Sequence, residues 1–211
     1  MTAASITVVA GTNGAGKSSL LGEALRHEGA FYYNPDEAAR TLQSDEPGLS
    51  LEEANSRAWI FGKQLLEKAI LLRTDFAFET TLGGSTIPSL LEEAARTGMT
   101  VRMWYVGLDS PERHISRVRS RVAAGGHDIP VAKIRERFDH SRENLRRLLP
   151  ILTELHVFDN SADGDPKTGE LPQPRLILEM IDGTITETCP LHEVPVWAKG
   201  IMLAALRTYG I

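Results

Sequence analysis

The chain has 211 residues, 42% of them hydrophobic and 24% charged, which fits one globular domain with a substantial apolar core and leaves little room for two. Its 23 Lys and Arg stand against 28 Asp and Glu, and a net charge of −5 argues against nucleic acid as the main partner. The single cysteine, Cys189, excludes an internal disulfide. No apolar run approaches the roughly 20 residues of a membrane span, and the N-terminus lacks the cationic start and apolar length of a secretion signal, so the expectation is a cytoplasmic protein with no membrane partner.

The first apolar run, Ser5 to Ala10, is short and β-branched and leads into glycines and then a helical stretch from Lys17 to His27. Further short strands are predicted at Ala30 to Tyr33, Phe76 to Phe78, Thr100 to Val106 and Leu155 to Phe158, with helical segments between them. Such alternation predicts an α/β fold with a parallel five-stranded sheet flanked by helices. Asn34 before Pro35, with Glu37 at capping-box spacing, opens one helix, and Ser50 with Glu53 opens a long amphipathic one running to Leu72. Ser110 before Pro111 opens another, with Ile115, Val118 and Val122 on its apolar stripe and Arg113, Arg117 and Arg121 opposite; Gly125 and Gly126 stop it. A helix from Val131 to about Leu149 buries Ile134, Phe138, Leu145 and Leu148. After a polar loop from Ser161 to Pro174, Arg175 to Glu187 reads as a hairpin turning at Asp182-Gly183, and Val196 to Arg207 as a closing helix. Residues 1–160 form the expected core, with a lid at about 111–130, and 161–211 pack on it as a small C-terminal hairpin and helix within the same domain.

The segment Gly11, Thr12, Asn13, Gly14, Ala15, Gly16, Lys17, Ser18 fits G-x-x-x-x-G-K-[ST] at every fixed position, between a predicted strand and a predicted helix. This is a P-loop. Its backbone N–H groups, continuing to Ser19, cradle phosphates at the positive end of a helix dipole. Lys17 reaches the β and γ phosphates and Ser18 is placed to ligate Mg²⁺. No N-K-x-D guanine reader is present, and Asp45-Glu-Pro-Gly48 fits D-x-x-G without a preceding strand, so ATP is favoured. A P-loop by itself says only nucleoside triphosphate.

Asp36, just past the second strand, suits a base that takes a proton from an acceptor hydroxyl, although helix starts favour acids for their dipole alone. Glu79 and Thr81 end the third strand at the carboxyl edge of the sheet, where Glu79 suits either a Mg²⁺-bound water or a substrate hydroxyl. The arginine face of the Pro111 helix reads either as a solvated side or as a lid whose arginines neutralise charge on a transferring phosphoryl group. With a lid, Gly125-Gly126-His127 reads as a hinge or a substrate-facing loop; His127 has no second His or Cys at metal-ligand spacing, which argues against zinc, and Met99, Met103 and Trp104 read as core.

With the P-loop, Tyr33-Asn-Pro-Asp-Glu37, Phe78-Glu-Thr-Thr81 and Arg121-Val-Ala-Ala-Gly-Gly-His-Asp-Ile-Pro130 on the page, the chain resembles the zeta toxin family of P-loop kinases over roughly residues 5–160. The resemblance implies phosphoryl transfer from ATP, with Mg²⁺, to a small-molecule hydroxyl, in the best-known members on UDP-N-acetylglucosamine. It implies Lys17 as the P-loop lysine, Asp36 as base, and Glu79 and Thr81 as substrate contacts. Arg117 and Arg121 stand for the phosphate-contacting arginines, Arg137 in reserve, with the usual second arginine falling near His127. An antitoxin protein is an implied partner. Two other readings share the same residues: an ATP-dependent binding module, and a kinase for an antibiotic or nucleoside.

Overall fold

The computed structural model describes residues 3–18, 32–123, 126, 128–162 and 173–210. The predicted helix after Lys17, Ser19, the start of the second strand, Gly125, His127 and most of the loop after Ser161 lie outside the described residues.

Seven strands form one sheet in the order β2-β3-β1-β4-β5-β6-β7. The strands are β1 (Ser5–Ala10), β2 (Tyr32–Tyr33), β3 (Phe76–Thr80), β4 (Thr100–Gly107), β5 (Glu154–Asp159), β6 (Arg175–Ile181) and β7 (Thr184–Thr188). The first five run parallel, with Val8 in register with Phe78 on one side and Met103 on the other. Strand β1 is central, and Ile6, Val8, Val9 and Ala10 are fully buried. A near-continuous apolar run is what a strand covered on both faces requires. Between β1 and β2 the chain travels to one edge, and from β3 to β4 it crosses to the other side of β1. The carboxyl end of β1 therefore opens at the point where strand order reverses, the usual ligand crevice of open α/β sheets.

The predicted hairpin is present, and Asp182 (φ 49°) and Gly183 (φ 71°) form its two-residue turn. Positive φ at both positions matches the turn that follows the twist of the flanking strands. Rather than packing on the core as an appendage, the hairpin extends the sheet. Strand β6 pairs antiparallel with β5, Leu155 opposite Met180, and so satisfies backbone groups that an edge strand would leave open.

The helices are α1 (Pro35–Asp45), α2 (Leu51–Leu72), α3 (Thr86–Arg96), α4 (Pro111–Ala123), α5 (Val131–Leu148) and α6 (Lys199–Tyr209). Ser50 and Glu53 complete a capping box at the start of α2. Small residues, Ala39 of α1 and Ala54 and Ala58 of α2, bring those two helices close together. The apolar stripe of α4, Ile115 and Val118, packs with Ile129 and Ile134, with Val122 at its margin. Trp197, before α6, covers Gly107 at the end of β4, where an added Cβ would lie 2.4 Å from the indole, and its Nε1 donates to Asp159 Oδ1 at 3.1 Å. No described helix is long and apolar enough to cross a membrane.

Candidate active site

The loop between β1 and Lys17 is held by its neighbours in a shape that only glycines permit. Gly11 has φ +138°, and a Cβ there would fall 2.1 Å from Val106 O; Gly14 has φ +80°, and a Cβ would fall 2.9 Å from His114 O. Strand β4 and helix α4 thus press on the loop from behind. Three distant residues fix it further. His114 Nδ1 lies 2.9 Å from Asn13 O, Asn160 Nδ2 donates to Ala15 O at 2.8 Å, and Arg137 donates to Asn13 Oδ1 at 2.7 Å.

His114 is buried, and its carbonyl partner can only accept, so Nδ1 carries the proton. Burial is the main cause that pulls its pKa down from 6.5 to about 4, assisted by the positive charges of Lys17 and Arg117. A histidine held neutral in the fold loses nothing above its unfolded pKa and costs stability as pH falls from about 6.5 towards 4, because only the unfolded chain takes up the proton. The melting temperature is therefore expected to fall between pH 7 and pH 4, and less steeply in His114→Asn, which keeps a donor but cannot titrate. Equal slopes in the two proteins would contradict this assignment.

At the front of the loop, Glu79 from the end of β3 gathers four side chains. Its Oε2 accepts from Ser18 Oγ at 2.7 Å, from Tyr32 Oη at 3.0 Å and from Asn34 Nδ2 at 3.4 Å, and its Oε1 lies 3.4 Å from Lys17 Nζ. Lys17 and Glu79 are both buried, and Lys17 Nζ also reaches Thr12 O at 3.4 Å. A hydroxyl and a carboxylate in contact beside a P-loop lysine are the donor types that a hard oxygen-seeking cation takes.

Asn34 caps α1, its Oδ1 accepting from Asp36 N at 2.9 Å, and this places Asp36 in the first turn of the helix. Arg121, from the last turn of α4, reaches across to Asp36 Oδ2 at 3.5 Å. The two arginines of the predicted lid diverge. Arg117 donates instead to Asn160 O at 2.7 Å and Ala162 O at 3.2 Å, at the exit of β5, while Arg113 binds Asp109. Arg137, on α5, lies across the P-loop. Burial lowers its guanidinium pKa from the ordinary value, and the charges of Asp36 and Glu136 oppose that shift.

After β3 the chain turns through Leu82, at φ 54°, whose N–H meets Thr80 Oγ1 at 3.0 Å. Asn144 of α5 donates to Leu82 O at 2.8 Å and Gly84 O at 2.9 Å, fastening the loop that carries Thr81. One cavity of about 540 Å³ joins these parts, with Lys17, Asp36, Glu79, Thr81 and Arg137 all in its wall. Neither Arg117 nor Arg121 is in that wall. Sequence reasoning did not single out Asn160, His114 or Asn144; only Asn160, at the carboxyl end of a parallel strand, stands where ligand-facing residues are expected.

Residues 3–163 match the model of a family described as Zeta toxin. An uncharacterised protein of Haemophilus influenzae is 29% identical over 133 residues, 61% of this chain and 88% of that protein. Among solved structures, the chain is similar to a chain of the AvrRxo1-ORF1:AvrRxo1-ORF2 complex crystallised with ATP, at 18% identity and a TM-score of 0.66 over 87% of this chain. This chain spans 60% of the length of that one. It is also similar to a component of the PezAT chromosomal toxin–antitoxin system of Streptococcus pneumoniae, at 15% identity and a TM-score of 0.54 over 75% of this chain and 68% of the other.

Proposed function

Because the chain belongs to the zeta toxin family, we propose that it is a kinase that moves the γ phosphoryl group of ATP to a hydroxyl of a small molecule, a nucleotide sugar such as UDP-N-acetylglucosamine. The observation that carries this reading is that Lys17, at the phosphate end, and Asp36, at the acceptor end, open into the same cavity. Asp36 takes the proton of the acceptor hydroxyl as its oxygen bonds to the γ phosphorus; the bond from that phosphorus to the β–γ bridging oxygen breaks, and ADP leaves. Lys17 and the loop N–H groups bind the phosphates, and Thr81 and Arg137 face the acceptor side. Ser18 and Glu79 are the residues that would hold Mg²⁺, directly and through water, and the ion would supply positive charge to the phosphates. The solved relative with ATP supports the choice of nucleotide, and the two relatives seen in pairs support a partner protein of the antitoxin kind.

The test is to incubate the protein with γ-labelled ATP, Mg²⁺ and UDP-N-acetylglucosamine and to look for the label on the acceptor by mass. ATP consumption with no phosphorylated acceptor would point instead to an ATP-dependent binding module. The two α4 arginines are expected to separate in this assay. Arg121→Ala lowers turnover at saturating ATP by at least about tenfold, because its guanidinium lies 3.5 Å from Asp36 Oδ2 and holds the base in position, and misplacing a reacting group is costly in rate. Arg117→Ala acts mainly on the KM for ATP, because its bonds hold the Asn160 turn that braces Ala15. Identical effects from the two would remove the distinction.

A further inference from the structure

The cavity does not end at Asp36. It continues along one stripe of α2, where Asn55, Ser56, Trp59, Gly62 and Lys63 stand in its wall. From Asn55 to Lys63 this stripe runs for about 12 Å at the α-helical rise, well beyond the reach of a single sugar ring lodged against Asp36. Gly62 has a local reason for being there, since a Cβ would lie 2.4 Å from the Tyr33 ring that packs beneath the helix. Trp59 has none. The residue is 45% exposed, and among the described residues it makes no hydrogen bond and no ring contact. Large aromatics that line a polar cavity half-exposed are suited to lie against a flat ring of a ligand while the indole N–H stays in reach of water. Asn55 and Ser56 sit about one turn away on the same stripe and offer hydrogen bonds to such a ring's edge.

We infer that Trp59 is the platform on which the acceptor rests a flat ring remote from its reacting hydroxyl, with Asn55 and Ser56 at the ring's edge. This rests on the kinase reading for what the acceptor is, and it restricts the substrate class: an extended molecule with a second ring rather than a compact single-ring alcohol. The ring's π or apolar face is the recognised chemistry, and either a nucleobase or a sugar can supply it.

The experiment uses the full chain and UDP-N-acetylglucosamine as probe, with UDP and N-acetylglucosamine 1-phosphate as separate arms. Binding is measured by isothermal titration calorimetry, and tryptophan fluorescence is recorded beside it to report contact with Trp59 over the background of Trp104 and Trp197, which remain in any Trp59 variant. Wild type is expected to be quenched, and Trp59→Phe to bind within about threefold without that quench. Trp59→Ala is expected to raise the probe's Kd, and its KM where transfer occurs, on the order of tenfold, a stacked ring's worth, while ATP affinity stays unchanged. Quench by UDP alone assigns the ring to the base, and quench by the sugar phosphate alone assigns it to the sugar. Trp59→Ala binding the probe as wild type does, or wild type failing to bind any of the three, overturns the inference. Binding that depends on Trp59 in a protein that transfers no phosphoryl group would sink the kinase reading and leave the platform standing.

Discussion

Lys17→Ala is expected to lower ATP-dependent turnover on the order of 10² to 10³, the cost of removing one preorganised cationic donor from a phosphate site. The lysine is 5% exposed and, among the described residues, has Thr12 O and Glu79 Oε1 at 3.4 Å to hold it in place. Such distances leave its ammonium ready to exchange partners when phosphate oxygens arrive. The same burial gives the substitution a second effect. Removing one member of a buried ion pair strands the other, which costs about 3–5 kcal/mol in typical cases, and among the described residues Glu79 keeps its neutral donors Ser18, Tyr32 and Asn34. Loss of stability and loss of binding must therefore be read apart. The rise in melting temperature on adding Mg²⁺ and ATP does so, because it reports binding to the folded state whatever the starting stability. Wild type is expected to show this rise and Lys17→Ala to lack it. A full ATP-induced rise in the variant would contradict the phosphate site.

The strand-to-loop origin of that site was legible because glycine spacing, Lys17 and Ser18 all lie within eight consecutive residues. Glu79 was legible as a carboxylate at a strand end, but not as the group that unites Lys17, Ser18, Tyr32 and Asn34. Those partners come from two segments, 17–18 and 32–34, both more than 40 residues from Glu79, and no local pattern joins them. The same holds for Asn160, whose bond to Ala15 O spans 145 positions, and for Asn144, which fastens a loop 60 residues earlier. The arginine stripe shows the limit of periodicity. Arg117 and Arg121 share a helix face, yet four residues are about 6 Å along the axis, enough for one to reach the exit of β5 and the other to reach α1. Arg137, named in the sequence reading only as a reserve phosphate contact, is set on the P-loop by the way α5 crosses it, its guanidinium donating to Asn13 Oδ1. The extra two strands of the sheet were read as a hairpin but not as a continuation of the sheet, because the partner edge belongs to β5 and pairing across a long loop leaves no mark in either segment.

Asp36→Asn is the second variant with a large expected effect. The carboxylate stands in the first turn of α1 with its own N–H held by Asn34, an arrangement that Asn preserves in shape. It meets Arg121 at 3.5 Å, and both side chains are about one-third exposed. A pair that open to water is worth at most about 1 kcal/mol, so the substitution is expected to leave the fold and its melting temperature close to wild type. What Asn cannot do is accept the hydroxyl proton. Loss of a general base lowers the rate on the order of 10² to 10⁴, well above any effect that the ion pair could have through stability.

The most direct measurement of the central claim therefore compares wild type and Asp36→Asn for γ-phosphoryl transfer to the acceptor, with ATP affinity taken on the same preparations. The account predicts transfer reduced on the order of 10² to 10⁴ while ATP affinity stays within a few fold. Transfer within a few fold of wild type would return Asp36 to a helix-capping role, and loss of ATP binding together with transfer would make it a structural residue; either result contradicts a base at Asp36.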